Sequence, residues 1–472
     1  MTPLQCLRGT LSTLLLIALA NCVAHGQVFN TLADFNGTNG AEPSAPLIQG
    51  LDGNLYGTAF MGGHLDCPGR HGCGTIFKIT PLGRMTAQGL DSEEGASPQA
   101  ALLLASDGNY YGTTVGAGLY NSGTIFKMNP AGVITVLYDF CPDQNGCSDG
   151  SFPNALVQGI DGAFYGTTGH GGGGACSDGC GTVFKLAQDG SFNTLYRFKS
   201  TDGNIPMGRL VQGIDGNFYG ETLEGASTYG TIFKITPSGT LTILHFFWGG
   251  DGRFPSGGLI EASDGNFYGT TEAGGPKNFG TLFRMTAAGN LATLHYFNRG
   301  TNEPCSALTE GSDGRLYGTT FYGGYMPCNP SNGCGIIYSL SSDGTFTVEH
   351  AFEGADGRFP TTGLIQATNG VFYGTAEEGG SNFGTIYSLD MGLRPFVAFV
   401  RNAGKIGSLS GILGEGFTGS TDVSFNGIPA TFKVVSDTLI EATVPPGATT
   451  GYVTVTTPSG TLTSNKKFIV LP

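Results

Sequence analysis

Eight cysteines fall into four close pairs, Cys67/Cys73, Cys141/Cys147, Cys176/Cys180 and Cys328/Cys334, and Cys305 stands apart from them. In an oxidising compartment such spacing is that of local disulfides inside loops. Loops this short constrain little of the unfolded chain, so each bridge would shape its loop more than stabilise the whole. Zinc is the competing reading. Only the first pair has nearby histidines, His64 and His71, and the spacings match no standard finger. A second chemistry lies in the aspartates of a recurring Asp-Gly-x-aromatic-Pro motif or its relatives, at Asp149, Asp202, Asp251 and Asp356, with Asn39 in the matching place of the first repeat. A ring of carboxylates could hold Ca2+ or sugar hydroxyls, since hard cations take oxygen ligands. The plainer reading is an Asp capping a turn ahead of Gly and Pro.

Other candidates are weaker. Glu224, Glu272, Glu377 and Glu378 sit in loops, and two of them could form a glycosidase pair if the fold set their separation; the alternative is solvated loop carboxylates. His245, His295 and His350 share a column with Tyr138 and Tyr196, and a position that accepts both rings is one of packing. His170 opens a glycine run that follows a strand rather than starting a helix, so it is no phosphate loop. The chain has no Gly-x-Ser-x-Gly elbow and no paired zinc-type His motif.

The elements that position these residues are repeats. Asp-Gly-Asn-aromatic-Tyr-Gly-Thr or a near variant recurs around Tyr56, Tyr111, Tyr165, Tyr219, Tyr268, Tyr317 and Tyr373, 49 to 56 residues apart. A second anchor of the form Gly-Thr-Ile-Phe-Lys follows each, opened by Gly74, Gly123, Gly181, Gly230, Gly280, Gly335 and Gly384. Alternating apolar runs between Asp-Gly and Pro-x-Gly turns predict four short antiparallel strands per unit, the sequence form of a propeller blade. The opening segment Asn30 to Phe35 matches fourth strands such as Thr135 to Phe140, while the last unit stops after its third strand near Asp390. The expectation is a seven-bladed β-propeller closed by the N-terminal strand; a β-solenoid or split sheets are the alternatives. Within a blade the loops after the second and fourth strands vary in length and hold the four cysteine pairs and Cys305. That face, with the channel mouth, is the expected binding surface.

The repeats resemble the GloVer-type tandem-repeat family of exported bacterial proteins over residues 28 to 390, a likeness that implies a repeat fold and carries over no catalytic residue. After the linker 391–394, the runs Leu413-Gly414-Glu415-Gly416-Phe417, Val423 to Gly427, Ala442 to Gly447 and Tyr452 to Thr456 resemble an IPT/TIG domain. That resemblance implies an immunoglobulin-like sandwich over 395–472, and in exported proteins a spacer or adhesion module. The propeller is assigned 27–390.

Residues 1–26 are expected to be a signal peptide: Arg8, the apolar run Leu11 to Ala20, and the small-x-small site Ala24-His25-Gly26. Cys22 adds a lipoprotein reading, for which Asn21 is a poor preceding residue. No later segment is apolar for long enough to span a membrane. The net charge of −14 argues against nucleic acid and anionic lipid as partners. The function expected is a secreted or cell-surface, non-enzymatic binding or adhesion scaffold that presents variable loops to glycan or protein. The rivals are an extracellular polysaccharide hydrolase or lyase with a channel-mouth active site, and a self-assembling matrix protein.

Overall fold

The anchor motif builds a turn and a contact between repeats at once. In the fourth repeat Asp215 Oδ1 accepts the Asn217 N–H at 3.0 Å, and Oδ2 accepts Asn217 Nδ2 at 2.7 Å and the Tyr219 hydroxyl at 2.9 Å. Gly216 supplies the positive φ that the hairpin needs. Tyr219, held this way, stacks on Phe267 of the next repeat with ring centroids 4.1 Å apart. The same stacking joins Tyr111 to Phe164, Tyr165 to Phe218 and Tyr317 to Phe372.

The computed structural model describes residues 26–67, 72–143, 146–225, 229–325, 328–329 and 332–472. All but the last residue of the expected signal peptide, with Cys22, and the zinc-reading residue His71 lie outside them. The described residues form strands and no helix. In the fourth repeat the strands are Asn204–Gln212, Phe218–Glu224, Thr231–Ile235 and Leu241–Phe246, paired in that order and antiparallel. Among the described residues there are seven sheets of this kind, and in the third and fifth the first strand is split into two short pieces.

The opening strand Val28–Asp34 pairs antiparallel with Thr385–Asp390, from Val28 opposite Asp390 to Asp34 opposite Thr385, with a register shift between Thr31 and Ala33. It thereby supplies the fourth strand of the last sheet. Phe35, which follows it, is fully buried and packs on Phe77. One apolar core contains Phe35, Leu47 and Phe77 together with Tyr373 and Ile386. The two ends of the repeat array are thus joined, with the opening strand as the outermost strand of the last sheet. The architecture is an all-β propeller.

Two sets of polar bonds tie neighbouring sheets. Thr58, Thr113, Thr270, Thr319 and Thr375, all on second strands, donate to backbone carbonyls of the following sheet, the last of them to Pro43 of the first. Nearer the short turns, side chains on first strands accept backbone N–H groups of the preceding sheet: Gln158 from Ser106, Gln212 from Ile160, Glu310 from Ser263, Gln366 from Ser312, and Gln49 from Thr368.

The C-terminal unit is immunoglobulin-like. A sheet of Ala398–Phe399, Leu409–Leu413, Leu439–Thr443 and Phe432–Ser436 faces one of Ile428–Pro429, Asp422–Phe425, Val453–Thr457 and Gly460–Thr463. Ile412, Phe417, Phe425, Ile440, Val455 and Phe468 fill the space between. This unit is docked rather than free. Leu413, with Ala398, Val400 and Leu439, shares a core with Leu51, Leu104 and Tyr110. Thr438 Oγ1 donates to the Leu51 carbonyl at 2.7 Å, and Arg401 Nη2 to the Gly159 carbonyl at 3.2 Å. Leu51 and Gly159 belong to the turns between first and second strands, so the unit covers the short-turn end of the propeller.

Candidate functional site

With the short-turn end covered by the C-terminal unit, the long loops form the uncovered end of the repeat array. Each repeat places one residue there in left-handed backbone, directly before a proline: Glu42, Ser97, Phe152, Ile205, Phe254, Glu303 and Phe359, with φ between 53° and 59°. This conformation costs a non-glycine residue about 1 kcal/mol or more. Long-range backbone bonds hold it: the Glu42 N–H donates to the Phe383 carbonyl, Phe254 to Tyr229 and Phe359 to Cys334. Beside these residues lie the ends of the second strands. Phe321 stacks on Phe359 at 4.7 Å, and Phe152 meets His170 edge-on at 5.2 Å.

Glu272, Glu303, Glu377 and Glu42 come from four consecutive repeats, the fifth to the seventh and then the first. Burial pushes the Glu303 carboxyl up, helped by the charge of Glu272. Burial also raises Glu377, with Glu42 and Glu378 adding to it and a 2.9 Å bond from Thr361 opposing it. Glu378 is paired with Arg358. Each of those four repeats carries a phenylalanine at the other of the two positions, Phe254, Phe321, Phe359 and Phe60, and the second to fourth repeats hold Ser97, Val115, Phe152, Gly169, Ile205 and Leu223 there.

Cys305 lies just inside the acidic arc. Its thiol is pushed far above the ordinary range by burial and by the charges of Glu272, Glu377 and Glu303, so little thiolate forms. Iodoacetamide at pH 8 should label Cys305 in the native chain at least tenfold more slowly than after unfolding in urea, as followed by mass spectrometry. Equal rates would contradict this placement.

The four aspartates stand elsewhere, at the bases of the loops leaving the fourth strands, and both oxygens of each carboxylate have partners. Asp202 accepts the Tyr196 hydroxyl at 2.6 Å and the Lys199 N–H at 2.7 Å. Asp149 accepts from Tyr138 at 2.7 Å and from the Cys141 N–H. Asp251 bonds His245 Nε2 at 2.8 Å and the Trp248 N–H at 2.9 Å. Asp356 bonds His350 Nε2 and the Glu353 N–H, each at 2.8 Å. Burial is the largest influence on Asp251 and Asp356 and works against their charge, but the bonds from His245 and His350 together with those from the Trp248 and Glu353 N–H groups outweigh it and hold both below the usual carboxylate range. The fourth-strand column of Tyr and His is therefore a set of latches as well as a packing position. His295 has no aspartate in its loop; its Nε2 is buried without a partner among the described residues, and its ring stacks on Phe346 at 4.1 Å.

All four cysteine pairs form disulfides: Cys67–Cys73, Cys141–Cys147, Cys176–Cys180 and Cys328–Cys334. All of them lie in loops, as expected, but one end of three bridges reaches the core. Cys73, Cys180 and Cys334 each stand directly before the glycine that opens a third strand, and all three are fully buried. Cys180 belongs to an apolar core with Val183 and Phe198. These bridges therefore fasten a variable loop to the rigid sheet beneath it, because the chain is already turning inward to begin the strand. Among the described residues the one His/Cys/Asp/Glu group close enough to share a metal ion is Asp66, Cys67 and Cys73, and there the two sulfurs are bonded to each other.

Exposed aromatic rings are unevenly placed. Tyr229, Trp248, Tyr325 and Phe383 stand on long loops, with the exposed Leu65 and Leu119, and Phe152 stands on the short strand Ser151–Pro153 at the same end, whereas the large apolar residues exposed on the short turns, Leu82, Val133, Ile160 and Ile214, are all aliphatic. Trp248, the chain's one tryptophan, is 67% exposed. Nearby, the Arg253 guanidinium lies over Tyr229 at 4.4 Å and Phe254 at 4.9 Å.

Comparison with known proteins fits this geometry. The Gloeobacter/Verrucomicrobia repeat matches the chain three times, at residues 19–174, 143–329 and 229–416, and an IPT/TIG domain matches 397–470. No curated protein matches the sequence. Among solved structures, virginiamycin B lyase from Staphylococcus aureus is similar at 16% identity with a TM-score of 0.50, covering 77% of this chain and 98% of that one. A fungal alcohol oxidase of the AA5 family, in complex with copper, is similar at 11% identity and a TM-score of 0.55, covering 94% and 99%. The extracellular domain of a candidate hybrid two component system from B. thetaiotaomicron reaches a TM-score of 0.51 at 11% identity, covering 94% and 59%. At such identities the likeness is one of fold.

Proposed function

The chain belongs to the Gloeobacter/Verrucomicrobia repeat family, and from that premise we propose that it is a secreted or cell-surface binding scaffold, without catalysis of its own, whose long-loop face holds an extracellular glycan. The observation that carries this reading is the one-sided distribution of exposed rings. Trp248, Tyr229 and Phe152 share the open face with Glu42, Glu272, Glu303 and Glu377, while the chain's own C-terminal unit covers the opposite end. Flat rings stack on the C–H faces of sugars, and carboxylates accept hydrogen bonds from hydroxyl groups. Exposed rings grouped on one face suit an interaction surface. Four disulfides and the absence, among the described residues, of a helix long and apolar enough to cross a membrane support an extracellular setting. In this reading Asp149, Asp202, Asp251 and Asp356 hold the binding loops in shape.

The test is a glycan array probed with the chain, with and without Ca2+. A defined glycan should bind, and Trp248→Ala with Tyr229→Ala should weaken it at least tenfold while leaving thermal stability unchanged. No glycan bound, or equal binding by the double variant, rejects the reading; capture of a protein ligand on the same face would move it to the protein arm.

One observation favours a hydrolase or lyase instead: the raised carboxyls of Glu303 and Glu377 stand near others at the mouth, and a general acid needs such a shift. That alternative requires the array-positive glycan to be cleaved, with cleavage lost in Glu303→Gln or Glu377→Gln.

A further inference from the structure

We propose that the cavity between the first and second sheets is a binding site for a small, neutral aromatic ligand of the phenol type. The evidence is a set of departures from the repeat that coincide there. In six of the seven sheets the fourth strand carries one extra residue, bulged out of register with the third strand: Leu32, Leu137, Leu195, Leu244, Leu294 and Glu349. The first sheet has none, and Thr75 to Ile79 pair with Gly89 to Met85 without a shift.

The bulge is what the next sheet packs on. A Cβ on Gly83 would lie 2.7 Å from the Leu32 carbonyl oxygen, and one on Gly239 or Gly289 would lie 2.8 Å from that of Leu195 or Leu244. These glycines stand in the turn before the next fourth strand. The Glu349 carbonyl accepts Gln27 Nε2. At the other two bulges a ring fills the space, Phe192 stacking on Tyr138 at 3.9 Å and Phe346 on His295 at 4.1 Å. Between the first and second sheets neither device is present. Gln88 stands in the register position of Tyr138 and His295, and Ile134 in that of Phe192 and Phe346. What remains is a cavity of about 300 Å3 between Ala87 and Gln88 on one side and the turn Asn129 to Gly132 on the other, lined also by Phe77 and Met128.

Lys78, Tyr56 and Tyr110 supply polar groups to the same lining. Tyr110 takes the place of Phe164, Phe218, Phe267 and Phe372, so this junction alone has a hydroxyl-bearing ring at that position. It lies 4.5 Å from the Tyr56 ring. Lys78 Nζ is 2.5 Å from Asp52 Oδ2, and the Tyr56 hydroxyl donates to the same oxygen at 3.0 Å. The lysine charge is therefore balanced, but an ammonium has three donors and one carboxylate oxygen does not exhaust them. A flat ring suits the apolar walls, as rings fill the equivalent space at other junctions, and a hydroxyl on it suits the lysine and tyrosines. A carboxylate would meet Asp52 as well. An apolar cavity of roughly 150 Å3 is enough for benzene, and ligand pockets begin at about 300 Å3. This goes beyond the glycan reading and stands whether or not the loops bind sugar.

The experiment is saturation-transfer NMR on the full chain at pH 7, titrated with phenol in one arm and benzoate in the other. Phenol should bind saturably and benzoate several-fold more weakly. Insertion of a leucine between Ala87 and Gln88 restores the bulge and should abolish the phenol signal. Should that variant fail to unfold cooperatively on heating, Ala87→Ile decides: it reproduces Ile243 of the fourth repeat, so the sheet accommodates it, and it should weaken phenol several-fold. Tyr110→Phe, which reproduces Phe164, should also weaken phenol several-fold without moving the thermal midpoint by more than a few degrees. Absence of saturable phenol binding, tighter binding of benzoate, or wild-type affinity for phenol in a folded insertion variant or in Ala87→Ile overturns the proposal.

Discussion

Glu221→Thr is expected to stabilise the protein, and by an amount that grows with pH. Glu221 occupies the second-strand position at which other repeats have Thr58, Thr113, Thr167, Thr270, Thr319 and Thr375, and it is 1% exposed. Its Oε2 accepts the Gly258 N–H of the next sheet at 3.0 Å, and its Oε1 is buried without a partner. Burial pushes its carboxyl to about 8 from the ordinary 4.5. The folded chain therefore keeps a proton that the unfolded chain releases. The stability this group allows is fully present below pH 4.5 and is lost as the pH rises toward 8, at about 1.4 kcal/mol per pH unit. At pH 7 the accumulated loss is roughly 3 kcal/mol. A threonine carries no such penalty and places a donor where its counterparts bond the following sheet. Urea unfolding midpoints of the two proteins, measured at pH 5, 7 and 9, should diverge, the variant being the more stable at the upper end. Parallel pH profiles would show that Glu221 is not held protonated.

Phe35→Ala is expected to cost about 3–5 kcal/mol, the range for removing a fully buried phenylalanine, and to open the ring. Phe35 has no exposure, its N–H donates to the Gly384 carbonyl at 3.0 Å, and its ring meets Phe77. It lies where the first and last sheets meet, so the cavity weakens the one junction that covalent continuity does not support. Hydrogen exchange should then quicken along Val28–Asp34 and Thr385–Asp390 together. Phe140→Ala, at the corresponding buried site between the second and third sheets, should cost a similar amount but leave those two strands protected. Protection of both strands in Phe35→Ala would refute this account of closure.

Much of the scaffold could be read from residue patterns. Asp-Gly-Asn-aromatic-Tyr-Gly-Thr encodes a turn, a pinned tyrosine and a contact to the next repeat, all from local chemistry. The closing strand was visible because Leu32 to Phe35 has the form of Leu137 to Phe140. The pairing of the cysteines was legible from their spacing, but the burial of Cys73, Cys180 and Cys334 was not, since it follows from where the third strand enters the core. The aspartate latches were half visible. Tyr196 and Asp202, His245 and Asp251, and His350 and Asp356 share one spacing, but in the third repeat the Cys141–Cys147 loop separates Tyr138 from Asp149, and the common partner was missed. The acidic mouth needed three dimensions, since Glu42 and Glu377 are brought together only by ring closure. The docking of the C-terminal unit was also out of reach, since nothing local in Thr438 or Arg401 points to the turns they bond.

The latches at the loop bases have an evolutionary consequence. Tyr138 and Asp149 close at nearly the same distance as Tyr196 and Asp202, although the intervening segment is five residues longer. Excursions beyond the latch can therefore lengthen, acquire a disulfide or exchange their tips while the underlying strands keep their register. A chain built this way can change its loops one at a time with the framework insulated from each change.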